Sequence, residues 1–397
     1  MPGRGVTTGG RTGIDRLSSV SGAIAAQVES PTLFLDRGSI PLGSTISSNK
    51  HQSLMAKAKT ALPLPISTSE EDSMVFFSSG CTILDAALGG GWACGRVANV
   101  LGESSTGKTL LGIEAAANFS QQFPDAHIVH IDTEAAFDPE YAQTLGLNLD
   151  DIELFEGFST VEQIATLFDN ILEDREGGQS PAAAPCLVIL DSIDALTTNA
   201  EVARSMEDGT FGLEKAKLLS QLFRRYIRRM NACGITLMIM SQVRANLNAG
   251  PFGKQTITSG GKALKFYVSQ QLELTHLKQI KKTAKGNERV VGCMVKAQVI
   301  KNRCGPSFRT AQFPLLFGYG IHDEGASLQF IVQSGRGKQV GIADTLAAAT
   351  AFLKKVEASS PEERAAHVSK IREVAMETWS DIESEFAPTR SKYGGGA

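Results

Sequence analysis

Residues 97–109 read VANVLGESSTGKT, an apolar strand-like run followed by two glycines separated by four residues, a lysine and a threonine. In such a turn the backbone N–H groups curl around phosphates, Lys108 reaches the β and γ phosphates, and the Thr109 hydroxyl binds Mg²⁺. The Ala-rich stretch LLGIEAAANF at 110–119 predicts a helix directly after the turn, and a helix N-terminus favours a bound phosphate. This strand–turn–helix context favours a nucleotide site over a surface Gly/Ser turn.

The composition is that of an ordinary soluble globular chain. The chain has 397 residues, of which 42% are hydrophobic and 20% charged, which is enough for two or three domains and excludes a wholly disordered chain. No run of 18 apolar residues and no secretory signal stand in the sequence, so we predict a cytoplasmic protein without membrane contact. The six cysteines are scattered without a C-x-x-C pair, which predicts reduced thiols. With a net charge of −3, any nucleic-acid site must be local.

The order of apolar and helical segments predicts three parts. Residues 1–72 read as a flexible N-terminal tail, in which the residues from Leu33 to Ile40 form a short extended patch. From residue 73 to 328, short apolar runs alternate with amphipathic stretches, which predicts a parallel β-α-β sheet. In the last two runs, 271–277 and 291–300, apolar and polar residues alternate, and the polar stretch 278–289 lies between them. This pattern predicts an antiparallel hairpin at the edge of the sheet. Residues 329–397 predict a small helical C-terminal domain and tail.

Further residues at predicted strand ends complete a nucleotide site. Asp191 ends the apolar run CLVILD and is placed to bind Mg²⁺ together with Thr109. Glu134 follows the run HIVHID by two residues, where it could orient and deprotonate water or be a solvated loop glutamate. Asp138 and Pro139 predict a helix start, and Tyr141 on its first turn could pack inward or stack on a base.

Five blocks of sequence carry a resemblance to a known family. They are IDTEAAFDPEYAQTLG at 131–146, VILDSIDALTTNAEV at 188–202, MSQVRANL at 240–247, TSGGKALKFY at 258–267 and VIKNRCGPSFRTAQFPLLFGYGI at 299–321. In this order they resemble successive blocks of the RecA recombinase family, from about Phe76 to Ile321. Residues 337–355 resemble the C-terminal domain of that family more weakly. The resemblance implies a RecA-like P-loop ATPase core, mostly a parallel sheet flanked by helices, with an N-terminal extension and a small C-terminal domain.

The resemblance also implies roles for individual residues. Glu134 matches the catalytic glutamate, Tyr141 a residue that stacks on adenine, and Gln242 a glutamine that senses the γ-phosphate. Lys301 and Arg303 match basic residues that reach the γ-phosphate of a neighbouring subunit; Arg303 stands where many bacterial relatives have lysine. The predicted catalytic residues are Glu134, Lys108, Gln242, Lys301 and Arg303. The residues predicted to bind ATP are Gly102, Glu103, Ser104, Ser105, Thr106, Gly107, Lys108, Thr109, Leu110, Asp138, Tyr141 and Gln242, and those predicted to bind Mg²⁺ are Thr109 and Asp191.

Two Gly-rich segments, 201–212 and 244–262, resemble the DNA-binding loops of the family. Apolar residues near their tips could wedge between bases or fold onto the core, and their cations could follow phosphates. The basic face of the segment 218–231, with Arg224, Arg225, Arg228 and Arg229, could contact the DNA backbone or be a solvated face. The predicted DNA-binding residues are Arg204, Met206, Phe211, Gly212, Arg224, Arg244, Asn246, Leu247, Lys254, Gly260, Gly261 and Lys262. The C-terminal cations Arg336, Lys338, Lys354 and Lys355 are candidates for duplex DNA.

The function that the resemblance implies is an ATP-dependent recombinase. It would form helical filaments on single-stranded DNA and catalyse homologous pairing and strand exchange with duplex DNA. Its partners would be further copies of the chain, with ATP at the subunit interface, and mediator or single-strand-binding proteins. Filaments of the family form when an N-terminal segment docks on the next subunit, and the patch from Leu33 to Ile40 is the candidate oligomerisation segment here; the alternative is a disordered linker. Two alternatives stay open: a ring-forming RecA-like DNA motor for branch migration, and a non-catalytic recombination mediator.

Overall fold

The computed structural model describes residues 74–177, 184–204, 212–245, 256–258 and 261–388. The N-terminal patch 33–40 and the tips of both predicted DNA loops lie outside this range. None of the helices in the described part of the chain is long and apolar enough to cross a membrane.

The strands are β1 (Phe76–Phe77), β2 (Trp92–Ala93), β3 (Val97–Gly102), β4 (His127–Asp132), β5 (Ile152–Glu156), β6 (Cys186–Asp191), β7 (Ile235–Ala245), β8 (Thr256–Thr258), β9 (Gln270–Ala284), β10 (Asn287–Asn302), β11 (Thr310–Leu316) and β12 (Gly320–Ile321). The α-helices are α1 (Thr82–Leu88), α2 (Lys108–Gln122), α3 (Pro139–Thr144), α4 (Val161–Glu176), α5 (Asn199–Val202), α6 (Gly212–Ala232), α7 (Gly261–Tyr267), α8 (Asp323–Gln333), α9 (Leu346–Glu357) and α10 (Pro361–Glu385). Short 3₁₀ helices cover Leu149–Asp151 and Gly337–Val340.

The large sheet has the strand order β12-β11-β10-β9-β3-β7-β6-β4-β5, and β8 pairs with β7 beside this path. All neighbours from β9 to β5 are parallel, whereas β10, β11 and β12 are antiparallel to their neighbours. The predicted α/β fold with a mostly parallel sheet is therefore confirmed. The carboxyl ends of β3, β7, β6 and β4 lie side by side, which brings the segments that follow them to one edge.

The hairpin of β9 and β10 is present, but its predicted position at the sheet edge is wrong. β9 pairs with β3 and β10 with β11, so β11 and β12 lie outside the hairpin. The stretch 278–289 is mostly strand rather than bend, and the turn is limited to Lys285 and Gly286, both with positive φ. This part of the hairpin is exposed to water, so its strands do not need the apolar alternation by which a half-buried strand is recognised.

Each face of the sheet buries its own apolar cluster. Alternate residues of β6 divide between the two clusters, with Leu187 and Ile189 in one and Val188 and Leu190 in the other, as the two-residue period of a strand requires. The first cluster includes residues of α1, α2, α8 and α10, and the second includes residues of α4 and α6. This double cover explains why the central strands read as continuous apolar runs.

The C-terminal helices begin at clear capping signals. Thr345 caps α9 by accepting the backbone N–H of Ala348, and Ser360 and Glu363 form a capping box before Pro361 at the start of α10. Both predicted C-terminal helices are therefore present. The helix α8 runs across residues 328 and 329, where we placed the domain boundary, and the division into three parts stays a prediction.

Candidate nucleotide site

The turn between β3 and α2 has the backbone of a phosphate-binding loop. Ser105 and Gly107 have φ values of +60° and +92°, so the chain curls before α2 begins at Lys108. The positive φ of Gly107 favours glycine, and a Cβ at this position would in addition force the side chain of Leu315 to move. The Lys108 ammonium donates to the carbonyl of Glu103 at 2.7 Å, so the lysine lies over the loop. Burial lowers the pKa of Lys108, and the nearby carboxylates oppose that shift.

The two predicted magnesium ligands lie together. Asp191 is 5% exposed, and its carboxylate lies beside the Thr109 side chain. Burial raises the pKa of Asp191 to about 6, and the neighbouring Thr109 hydroxyl opposes the shift. A buried carboxylate beside a hydroxyl fits Mg²⁺, a hard cation that takes one or two protein oxygens and completes its coordination with phosphate and water.

Glu134 is held at the mouth of the site by three neighbours. The carboxylate of Asp132 accepts the backbone N–H groups of Glu134, Ala136 and Phe137 at 3.0, 2.8 and 2.7 Å, which fixes the loop that carries Glu134. Glu134 Oε1 accepts hydrogen bonds from the Ser192 hydroxyl and, at 3.1 Å, from the Gln242 amide. The predicted general base and the predicted phosphate sensor are therefore in direct contact.

A cavity of about 350 Å³ extends from the phosphate loop to a group of apolar side chains. Asp138 caps α3 by accepting the backbone N–H of Tyr141 at 3.1 Å, as predicted, and both residues line this cavity. Sequence reasoning missed other lining residues, among them Cys293, Leu315 and Phe317. They come from β10, β11 and the turn after β11, and the block FPLLFGYG at 313–320 was a signal for Leu315 and Phe317 but not for Cys293. Phe317 is 65% exposed, which suits an aromatic ring that stacks on a base.

Lys301 and Arg303 do not line the cavity. The Lys301 ammonium donates to the carbonyls of Lys265 and Phe266 at 2.7 and 3.2 Å, and Arg303 donates to the carbonyl of Phe266 at 3.0 Å. These carbonyls lie at the C-terminal end of α7, where the helix dipole favours cations. Within one subunit the two cations are thus separate from the residues around Lys108.

The predicted DNA-binding residues fall on several elements. Arg204 follows α5 and forms an ion pair with Glu214 at 3.4 Å, and Arg224 lies exposed on α6. Gly212 begins α6, Arg244 lies in β7, and Gly261 and Lys262 begin α7. The remaining members of the set lie outside the described residues: Met206, Phe211, Asn246, Leu247, Lys254 and Gly260.

A phosphate loop on a mostly parallel sheet, with Glu134 and Asp191 at the neighbouring strand ends, defines a P-loop nucleotide-binding α/β protein. Residues 58–322 match the family model for the RecA N-terminal domain. Curated proteins with the name RecA are similar to the chain: 35% identity over 264 residues in Streptomyces ambofaciens and 38% over 248 residues in Bacillus licheniformis. The first alignment covers 66% of this chain and 66% of that protein, and the second 62% and 66%. The chain belongs to the RecA family.

Proposed function

We propose that the protein is an ATP-dependent DNA recombinase, which hydrolyses ATP in response to DNA and forms helical filaments on single-stranded DNA. The observation that carries this proposal is the hydrogen bond between Gln242 and Glu134 at the mouth of the phosphate loop. Gln242 lies four residues before the segment 246–255, so a change at the γ-phosphate is passed to a predicted DNA loop through the last residues of β7. A protein that only binds ATP has no need of this contact, which disfavours the mediator alternative.

In the proposed reaction the backbone N–H groups of residues 103–108 and the Lys108 ammonium hold the phosphates of ATP. Glu134 accepts the proton of the attacking water, and its contact with Ser192 keeps the carboxylate directed at the site. Thr109 and Asp191 would hold Mg²⁺, which would neutralise charge on the phosphate oxygens. Gln242 leaves Glu134 to contact the γ-phosphate and returns when the phosphate has gone.

Hydrolysis in this proposal requires assembly. Since Lys301 and Arg303 do not line the cavity of their own subunit, they serve the ATP of a neighbouring subunit, where they stabilise charge on the transferred phosphoryl group. Among the residues that the structure describes, β5 is the last strand of the sheet and no strand pairs with its outer side, so a strand from another copy can be added there. The N-terminal patch 33–40 is the candidate for that strand, and single-stranded and duplex DNA are the polymer partners.

The first test combines imaging with activity. The protein is incubated with long single-stranded DNA, Mg²⁺ and a slowly hydrolysed ATP analogue, and negative-stain electron microscopy records the assemblies. Continuous helical filaments, followed by strand exchange with homologous duplex DNA, are expected. Closed rings would instead favour the branch-migration motor, and filaments without strand exchange or ATP turnover would favour the mediator.

Variants test the assigned residues. Lys108→Ala is expected to abolish hydrolysis, because the contact to the phosphates is lost.

Glu134→Gln is expected to lower the DNA-stimulated ATPase by roughly a hundredfold or more, because the general base is lost. The variant protein is expected to bind ATP and to stay on DNA longer than the wild type. Glu140→Gln, an exposed glutamate on the first turn of α3, is the matched control and keeps wild-type turnover. A Glu134→Gln protein that turns over ATP like the control would refute the assignment.

A further inference from the structure

Asp194 lies in the turn after β6, three residues beyond Asp191, and its side chain is 7% exposed. Its Oδ2 accepts the backbone N–H of Gln242 at 2.6 Å. The pairing of β6 with β7 ends at Leu190 and Ile239, whereas β7 continues to Ala245. At Gln242, β6 no longer lies beside β7, and the carboxylate of Asp194 accepts the backbone N–H that β6 would otherwise bind.

The same residue also contacts the helix that follows the first predicted DNA loop. Lys215, on the first turn of α6, donates its ammonium to the backbone carbonyl of Asp194 at 2.8 Å. The turn itself is fixed to β7, since Ile193 donates its backbone N–H to the carbonyl of Met240 at 3.1 Å. One short turn thus joins Gln242, which precedes the segment 246–255, to the helix that follows the segment 205–211.

Asp194 belongs to the electrostatic surroundings of the phosphate loop without lining the nucleotide cavity. Its charge acts on Lys108 together with those of Asp191 and Glu134 and opposes the effect of burial on the pKa of that lysine. The residues that line the cavity do not include Asp194. Asp194 therefore does not contact a bound nucleotide, and its direct link to the site is the hydrogen bond to Gln242.

We propose that Asp194 is a positioning residue that couples the nucleotide site to DNA affinity. Its carboxylate fixes the position of the Gln242 backbone, so that the Gln242 amide reaches either Glu134 or the γ-phosphate. Its backbone carbonyl binds Lys215, so that α6 moves together with Gln242. The inference rests on the proposed function, because it assumes that Gln242 responds to the γ-phosphate. Without the carboxylate, the Gln242 N–H loses its acceptor and the end of β7 no longer has one defined position.

The test measures coupling rather than stability. The dissociation constant for a fluorescent single-stranded oligonucleotide is determined with ADP and with a slowly hydrolysed ATP analogue. The constant with ADP divided by the constant with the analogue reports the coupling. Asp194→Ala is expected to lower this ratio by roughly tenfold, which corresponds to the loss of one buried hydrogen bond to a charged group. The KM for ATP is expected to stay within about twofold, because Asp194 does not touch the nucleotide.

Two further variants separate positioning from a general structural role. Asp194→Asn keeps a side-chain oxygen that can accept the Gln242 N–H, so its ratio is expected within about threefold of the wild type. Asp85→Ala removes another carboxylate that accepts a backbone N–H, from Ser79 at 2.7 Å, and it lowers Tm without changing the ratio. An unchanged ratio in Asp194→Ala, or an equal loss in Asp85→Ala, would overturn the inference while the proposed function stands. A wild-type ratio of one would refute the proposed function, and the role of Asp194 with it.

Discussion

Aspartates at one edge of the sheet have different roles because their partners differ. Asp132 accepts three backbone N–H groups and shapes the loop of Glu134, whereas Asp194 accepts the single N–H of Gln242. The carboxylate of Asp191 instead lies beside the Thr109 side chain and accepts no backbone N–H in the described part of the chain, which leaves it suited to a cation. Aspartates at the ends of parallel strands therefore indicate the edge of the sheet where a site forms. The hydrogen-bond donors around each carboxylate decide its role there.

Glu114 on α2 is a buried carboxylate that no step of the proposed reaction uses. Its side chain is 8% exposed and Oε1 accepts the backbone N–H of Ile321 at 2.9 Å. Burial raises the pKa of Glu114 to about 7. Since the folded pKa lies above the unfolded value, the proton on Glu114 stabilises the fold fully below about pH 4, and this contribution is lost as the pH rises to about 7.

Glu114→Gln is therefore expected to raise the free energy of unfolding at pH 8 and to leave it nearly unchanged at pH 5. The amide keeps the oxygen that accepts the Ile321 N–H and removes the cost of a buried charge, which amounts to roughly 2–3 kcal/mol for a pKa raised this far. Denaturant unfolding of both proteins at the two pH values checks this. Glu140→Gln, at an exposed site, is expected to show no such difference, and an equal effect at pH 5 and pH 8 would count against the buried charge.

At the residue level the sequence predicted what is local and missed what is distant. Gly107, Lys108 and Thr109 are recognisable because their roles depend on neighbours within the same turn. The acceptor for the Gln242 N–H comes from Asp194, 48 residues earlier, and no short pattern announces such a pair. Phe317 was missed as a lining residue for the same reason, since β11 reaches the phosphate loop only through the fold.

The helix α6 shows how one element can carry two kinds of arginine. Arg229 forms ion pairs with Asp169 and Glu176 on α4 at 3.3 and 2.9 Å, and Arg225 pairs with Asp169 at 2.9 Å. Arg224 is exposed and forms no ion pair with any residue that the structure describes. The basic face predicted from the helical spacing is therefore partly neutralised by α4, and only part of it is available to DNA.

Arg224→Ala is accordingly expected to weaken binding of single-stranded DNA and to reduce the slope of log K against log salt by about 0.7 for one phosphate contact. Its Tm is expected to match that of the wild type, because no partner in the fold is lost. Arg229→Ala is the matched variant on the same helix and should lower Tm instead. A salt titration of both variants with a fluorescent oligonucleotide separates the two roles; an unchanged slope in Arg224→Ala would assign Arg224 to a solvated face.

Strands that are buried on both faces could be predicted from the sequence, and exposed strands could not. The strands β3, β4, β6 and β7 are covered on both faces and read as apolar runs, so they were found with small errors at their ends. The strand β5, of sequence IELFE, is a short edge strand with no fully buried residue and was missed. The exposed parts of β9 and β10 were taken for a bend because a polar ribbon in water lacks the pattern of a half-buried strand.

At the scale of the whole molecule, the proposed mechanism makes assembly part of the reaction, because Lys301 and Arg303 do not line the cavity of their own subunit. The two cations are held at the end of α7, which follows the second predicted DNA loop. In a head-to-tail assembly each subunit would supply these cations to one neighbour and receive them from the other. A protomer with a damaged phosphate loop could still serve its neighbour.

This arrangement predicts complementation between two inactive proteins. Lys108→Ala loses its own ATP site but keeps both cations, whereas the double variant Lys301→Ala with Arg303→Ala keeps its ATP site and cannot activate a neighbour. Each is expected to be inactive alone, and an equal mixture on single-stranded DNA should recover about a quarter of wild-type ATPase, the fraction of interfaces that join two intact halves at random. A mixture of Lys108→Ala with Glu134→Gln is the control and stays inactive, because both lesions affect the same half. If the first mixture recovers no more activity than this control, the two cations do not act across the interface.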